Sequence, residues 1–286
     1  MRRLFRSNFV RLKKSKVFYA CLIVSVLYCV LVCVSTWGGA KRFDVAVSTG
    51  EVLFHFMVSI GLVISLFCSL FIGTEYSDGT IRNKIVIGHV RGRIYLSYFG
   101  ICTLAGVILY VFCILTGFAL GLPLFGSVDA EPFYLFCLLV DALLVCIAYG
   151  AIFNLIAVLS SNKAHTAVFC ILAALFLMFI GIYIYQALQQ PEMISQLVGT
   201  GEDMEVSIEG TGDMGFEMEM VKNPYYISGL HREIYQFILD FLPSGQAMQI
   251  GSREAMHPYR MGIYSMIIIV VSNLAGMLCF AKKDIK

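Results

Sequence analysis

Charge is scarce in this chain. Only 14% of its 286 residues are Asp, Glu, Lys or Arg, while 59% are hydrophobic and mean hydropathy is +0.81. A soluble domain is about half apolar and a quarter charged, so both departures exclude an ordinary water-soluble fold. The catalytic spacings are missing as well. There is no GxxxxGK[ST] phosphate loop, no HExxH and no GxSxG. ATP hydrolysis, zinc proteolysis and serine hydrolysis in this chain are therefore not expected. There is no CxxC pair. The ten cysteines all fall inside apolar runs, so they read as small hydrophobes without a disulfide framework or metal site. No array of arginines marks a voltage sensor, no TVGYG-like filter marks a channel, and nothing recommends nucleic-acid binding.

What the chain has instead is length without charge. Six apolar runs recur: Val17–Trp37, Val52–Ile72, Ile94–Leu122, Pro132–Ser160, Thr166–Leu188 and Met261–Ala281. At about 1.5 Å rise per residue, each can cross a roughly 30 Å hydrocarbon layer as a helix. The expectation is an all-α polytopic membrane protein with six transmembrane helices, forming one membrane domain over residues 1–286.

Orientation follows from the basic residues. With a cytosolic N-terminus, the inside segments 1–16, 73–93, 161–165 and 282–286 hold 15 of the 21 Lys and Arg residues, and the outside segments hold 15 of the 19 acids. Both termini are expected in the cytosol of a multi-pass protein. The first run is too long for the core of a signal peptide and lacks a good cleavage site, so it reads as a retained span.

The segments between runs carry the organisation. Residues 1–16 bring seven basic residues together with Phe5, Phe9 and Leu12 at helical spacing, which suits a helix lying in the inner interface against membrane lipid. Residues 73–93 form a polar, basic insert. In it Ser77-Asp78-Gly79 is a turn signal, Asp78 or Thr80 can cap a short helix through Ile87, and Gly88 is a natural stop. Ile81 and Ile85 share one face of that helix, as a docking surface would require.

Asp141 is the one carboxylate within the runs, with Asn154 further along the same helix. Such a residue usually faces a bundle interior or a cavity. It reads either as a polar point on a transport path or as a helix–helix contact to a hydroxyl or to His55.

The outside segment 189–258 has eleven acids and three bases. Met204–Glu209 and Phe216–Met220 alternate apolar and acidic residues, which predicts a β-hairpin with Glu205, Glu209, Glu217 and Glu219 facing a substrate. Tyr225–Leu242 predicts an amphipathic helix that Pro243-Ser244-Gly245 ends.

The run Glu75-Tyr76-Ser77-Asp78-Gly79-Thr80-Ile81-Arg82, followed by Lys84, Gly88, Arg91 and Ser97, resembles the permease subunits of ABC-2 type transporters. The nearest likeness is to the bacterial branch of lantibiotic immunity and peptide-antibiotic export. The opening LFRSNFVRLKKSKVFY looks like that family's elbow helix, and FILDFLPSGQ at 237–246 looks like the segment before its last span. The resemblance implies a coupling helix at 73–93 that seats in a partner ATPase through Glu75, Tyr76, Asp78, Gly79, Thr80, Ile81, Arg82 and Lys84. It also implies two ATP-binding cassette ATPase subunits, which would carry the ATP and magnesium. A second permease copy or a paralogue and a bacterial cell membrane complete the implied assembly. The expected activity is ATP-driven export of an amphipathic or peptide-antibiotic-like substrate. A non-transporting membrane sensor or scaffold, or an exporter of lipid or polysaccharide, are the alternatives.

Overall fold

The computed structural model describes residues 2–160, 162–197 and 218–283. Helix α1 (Arg2–Lys13) precedes α2 (Lys16–Phe43). The break between them is made by Ser15, whose hydroxyl accepts the backbone N–H of Phe18 and caps α2. A short α3 (Thr49–Leu53) leads through buried Phe54 into α4 (Met57–Ser77). Then come α5 (Thr80–Val86), α6 (Arg91–Phe125), α7 (Pro132–Leu159) and α8 (Lys163–Leu188). Strands β1 (Met193–Leu197) and β2 (Met218–Lys222), and helices α9 (Leu230–Phe241), α10 (Pro243–Ser252) and α11 (Pro258–Lys282), complete the described chain. Among the described residues, six segments are long and apolar enough to cross a membrane: α2, α3 with α4, α6, α7, α8 and α11. All six expected runs are therefore helical.

The segment Thr49–Ser77 is the most enclosed span. It packs against α2, α6, α7, α8 and α10, and it carries Ile60, Ile64, Phe67, Cys68 and Ile72 into the core. Small residues let the helices close. A β-carbon on Gly181 of α8 would lie 2.9 Å from the Ser244 β-carbon of α10. Close approach through such residues is how helices associate where lipid offers no hydrophobic gain.

The outer segment departs from expectation in three ways. The strand paired with β2 is β1, antiparallel, from Met193 opposite Lys222 to Leu197 opposite Met218. The expected partner strand, 204–209, lies outside the described residues, as do Glu205, Glu209 and Glu217. Alternation marks a strand but does not name its partner. Helix α9 begins at Leu230 rather than Tyr225, because Gly229 at its N-cap adopts φ 61° and breaks any earlier turn. Pro243 ends α9 and also starts α10, standing at a first-turn position where a missing N–H costs nothing. Helix α10 is buried along Pro243–Ala247 and again at Gln249–Gly251, wedged among α4, α7 and α8. The α9–α10 pair is thus a hairpin whose second arm, α10, is folded into the bundle, while α9 is buried only at Leu239 and Asp240.

Candidate functional site

With six spans, both termini reach the same face, and the C-terminal end is fastened there. Arg91 at the start of α6 donates to the carbonyls of Ala281 and Lys283, at 2.9 and 2.5 Å. The Lys283 ammonium donates to the carbonyls of Val158 (3.0 Å) and Ser160 (2.6 Å) at the end of α7. It also lies over the Tyr76 ring. Burial pushes the Lys283 pKa down to about 8.

On this face α4 runs into α5. Asp78 closes α4, and Gly79, with φ 65°, makes the left-handed turn that starts α5. Gly79 therefore stands at the cap where Asp78 or Thr80 was expected. The Thr80 hydroxyl instead donates back to the Glu75 carbonyl at 3.1 Å. Gly88, with φ 93°, ends the turn after α5 as expected.

Glu75 is 3% exposed and holds the assembly together. One carboxylate oxygen accepts from the Arg11 guanidinium of α1. The other accepts from the Lys84 ammonium of α5 at 2.5 Å and from the Tyr98 hydroxyl of α6. Lys84 also donates to Asn8 (3.2 Å), and Asn8 donates to Ser97 of α6 (2.9 Å). Arg11 reaches on to the Phe71 carbonyl at 2.6 Å and to the Thr74 hydroxyl. Burial pulls the Lys84 pKa down, while the Glu75 charge and hydrogen bond work against that pull. A buried charge is tolerated where it is paired and fully hydrogen-bonded, and this carboxylate meets that condition. One anion thus joins α1, α4, α5 and α6.

The residues expected to line a partner surface separate into two sets. Glu75 and Ile81 are buried, and Tyr76 and Lys84 are half-buried. Tyr76 donates to the Val158 carbonyl. Asp78, Thr80 and Arg82 are exposed. The Ile81–Ile85 face expected to look outward turns inward: Ile81 enters the core and Ile85 packs against it. The outward apolar residues are Val86, Ile87 and Val90, at 78, 75 and 60% exposure. In α1 the buried stripe is Leu4, Asn8 and Leu12, while Phe5 is exposed and Phe9 half-buried. Sequence reasoning missed Arg11, Asn8, Ser97 and Tyr98. The i, i+4 spacing of Leu4, Asn8 and Leu12 was the available signal for an inward polar residue in α1.

The three intramembrane polar candidates do not form one site. Asp141 and Asn154 stand thirteen residues apart on α7, about 20 Å along its axis. His55 is exposed beyond the end of α3. Among the described residues, fully buried Asn154 finds no hydrogen-bond partner for either amide atom, and the buried Oδ2 of Asp141 likewise finds none. The expected contact from Asp141 to a hydroxyl or to His55 is therefore not made at that oxygen. Besides Glu75, a buried carboxylate that does find partners is Asp240 of α9. It accepts from Gln236 (2.8 Å) and Gln249 (3.0 Å) and meets His257 at 3.2 Å, holding the α9–α10 hairpin closed.

A family model described as ABC-2 family transporter protein matches residues 4–193, from α1 into β1. The chain belongs to this family. It is the membrane permease subunit of a transporter, and membership in the ABC-2 family implies association with an ABC ATPase. No curated protein matches the chain. Within this permease, the α4–α5–α6 corner held by Glu75 lies wholly inside the matched region, while α9, α10 and α11 lie beyond it.

Proposed function

We propose that this permease is the membrane half of an ATP-driven exporter in a bacterial cell membrane, with α5 as its coupling helix and α1 as its elbow helix, both on the cytosolic side. The observation that carries this reading is the division of α5 into two faces. One face is pinned through Lys84 and Glu75 to α1, α4 and α6. The other side offers Val86 at the end of α5, with Ile87 and Val90 in the turn that follows it, to an occupant outside the chain. A push on α5 would move its four-helix corner as one body, because the ionic network leaves no slack between the elements.

ATP and magnesium would bind in two partner ATPase subunits, and hydrolysis would occur there. A second permease, identical or paralogous, would complete the pathway. The acidic character of segment 189–258 supports an amphipathic substrate of positive charge, such as an antibiotic peptide, drawn in by long-range attraction.

The test is affinity capture of the tagged chain from gently solubilised native membranes, beside a Val86→Asp, Ile87→Asp double variant. A stoichiometric protein bearing a phosphate-binding loop, captured with the native chain and lost with the variant, is expected. Capture of no such protein by a folded native chain would favour a sensor or scaffold.

A further inference from the structure

A groove of about 600 Å³ runs between α7 and α11, away from the Glu75 corner. Its walls are apolar: Val140 and Leu144 from α7, and Ile263, Met266 and Val270 from α11. Several of these are exposed, so the groove opens sideways toward lipid. Among the described residues its one charged side chain is Asp141, which is only 5% exposed and whose buried Oδ2 has no hydrogen-bond partner among them. The facing position on α11 is Gly262. A β-carbon there would lie 2.8 Å from the other carboxylate oxygen, so the space beside the acid exists because the residue is glycine.

A lone carboxylate at this place is costly. It stands nine residues into α7, about 14 Å from the helix end, and an acid within a span is rare because its insertion into hydrocarbon is unfavourable. Such a group is ordinarily paired within the protein, as Glu75 and Asp240 are. Here the described residues supply the carboxylate and the apolar walls but no cation.

We propose that the α7–α11 groove binds an amphiphile whose apolar body fills the groove and whose primary ammonium pairs with Asp141, entering laterally from the membrane. The geometry of the groove selects for this ligand twice. The apolar walls reject a small hydrophilic amine, and the unpaired carboxylate rejects an anionic or purely apolar chain. The site stands apart from the ATPase reading, since binding requires neither nucleotide nor a partner.

The experiment uses the full chain in nanodiscs of phosphatidylcholine alone, which carry no primary amine. A diazirine-bearing dodecylamine and the matching dodecanol are photolysed separately, and adducts are mapped by mass spectrometry. The amine is expected to label α7 and α11 beside Asp141 at least tenfold more than the alcohol does. That preference should vanish in Asp141→Asn with folding confirmed by thermal melting. Met266→Trp, which fills the groove and keeps the acid, should block both probes. Adding phosphatidylethanolamine identifies the source: competition assigns the site to an aminolipid, and no competition assigns it to a non-lipid amphiphile, either of which upholds an ammonium site. Equal labelling by amine and alcohol, or amine labelling unchanged in Asp141→Asn, overturns the proposal. Labelling by neither probe in the native protein overturns it too, since the groove would then be covered, for instance by a second copy of the chain.

Discussion

Replacing Glu75 by alanine leaves the Arg11 guanidinium and the Lys84 ammonium facing each other without an anion. Their side chains are 31 and 15% exposed, so neither is fully solvated where it stands. Removing one partner of a buried ion pair costs roughly 3–5 kcal/mol. Water can reach Arg11, which places the expectation at the lower end, about 3 kcal/mol. The loss falls on the attachment of α5 and α1 rather than on the spans, because Glu75 joins those elements to the bundle. Hydrogen exchange read by mass spectrometry on residues 80–86 should therefore accelerate roughly a hundredfold, since about 1.4 kcal/mol is a factor of ten, while the buried centre of α4 keeps its protection. Glu75→Gln should be nearly as damaging, because its amide nitrogen would face two donors, Lys84 and Tyr98. Adding Lys84→Met to Glu75→Ala should recover part of the protection by removing one stranded charge. Unchanged exchange in α5 of a folded Glu75→Ala protein would refute the pinning of α5 by this carboxylate.

Other expectations follow from the same structure. Ile81→Ala removes a fully buried side chain and should cost about 2–5 kcal/mol of stability, whereas Ile87→Ala should leave the melting temperature unchanged and weaken only ATPase capture. In Gly245→Ala the new β-carbon would meet the Leu239 backbone, with its Cα at 2.8 Å, and should destabilise the α9–α10 hairpin by about 1–3 kcal/mol or more. Gly39→Ala within α2, with open space around it, serves as the clash-free control in the same thermal melts and should stabilise by up to about 1 kcal/mol. Lys283, with its pKa lowered to about 8, should react with amine-selective reagents with a midpoint near pH 8. An ordinary lysine titrates at about 10.4. The unfolded chain then holds more protons between those values, so this residue should make the folded chain more stable as pH rises from about 8 toward 10.4, and a pH series of melts in Lys283→Met would lack that increment.

Much of the architecture was legible before any coordinates. Six long apolar runs of spanning length, the glycines at 79 and 88 that punctuate the insert, and the basic residues gathered on one set of loops are local features. Local features survive without knowledge of neighbours, since a span is dictated by its own length and the need to satisfy its own backbone. The Glu75–Thr80 insert also carried enough local identity to point to the ABC-2 family. The faces of the short helices were less legible. Spacing puts Ile81 and Ile85 on one side of α5, yet it does not say whether that side meets the bundle or the water.

The sequence by itself determined the spans, their number, the shared side of the termini and the family. Tertiary structure alone decided which polar residues are partnered. Glu75 and Asp141 look equally unusual on the page, each a carboxylate in or beside an apolar run. Folding brings Arg11, from 64 residues away, onto Glu75 and, among the described residues, brings no donor onto the buried oxygen of Asp141. The physical reason is that burial and pairing are properties of what several helices place together. A carboxylate's own neighbours in sequence fix its depth along one helix, but only packing fixes whether a cation meets it there.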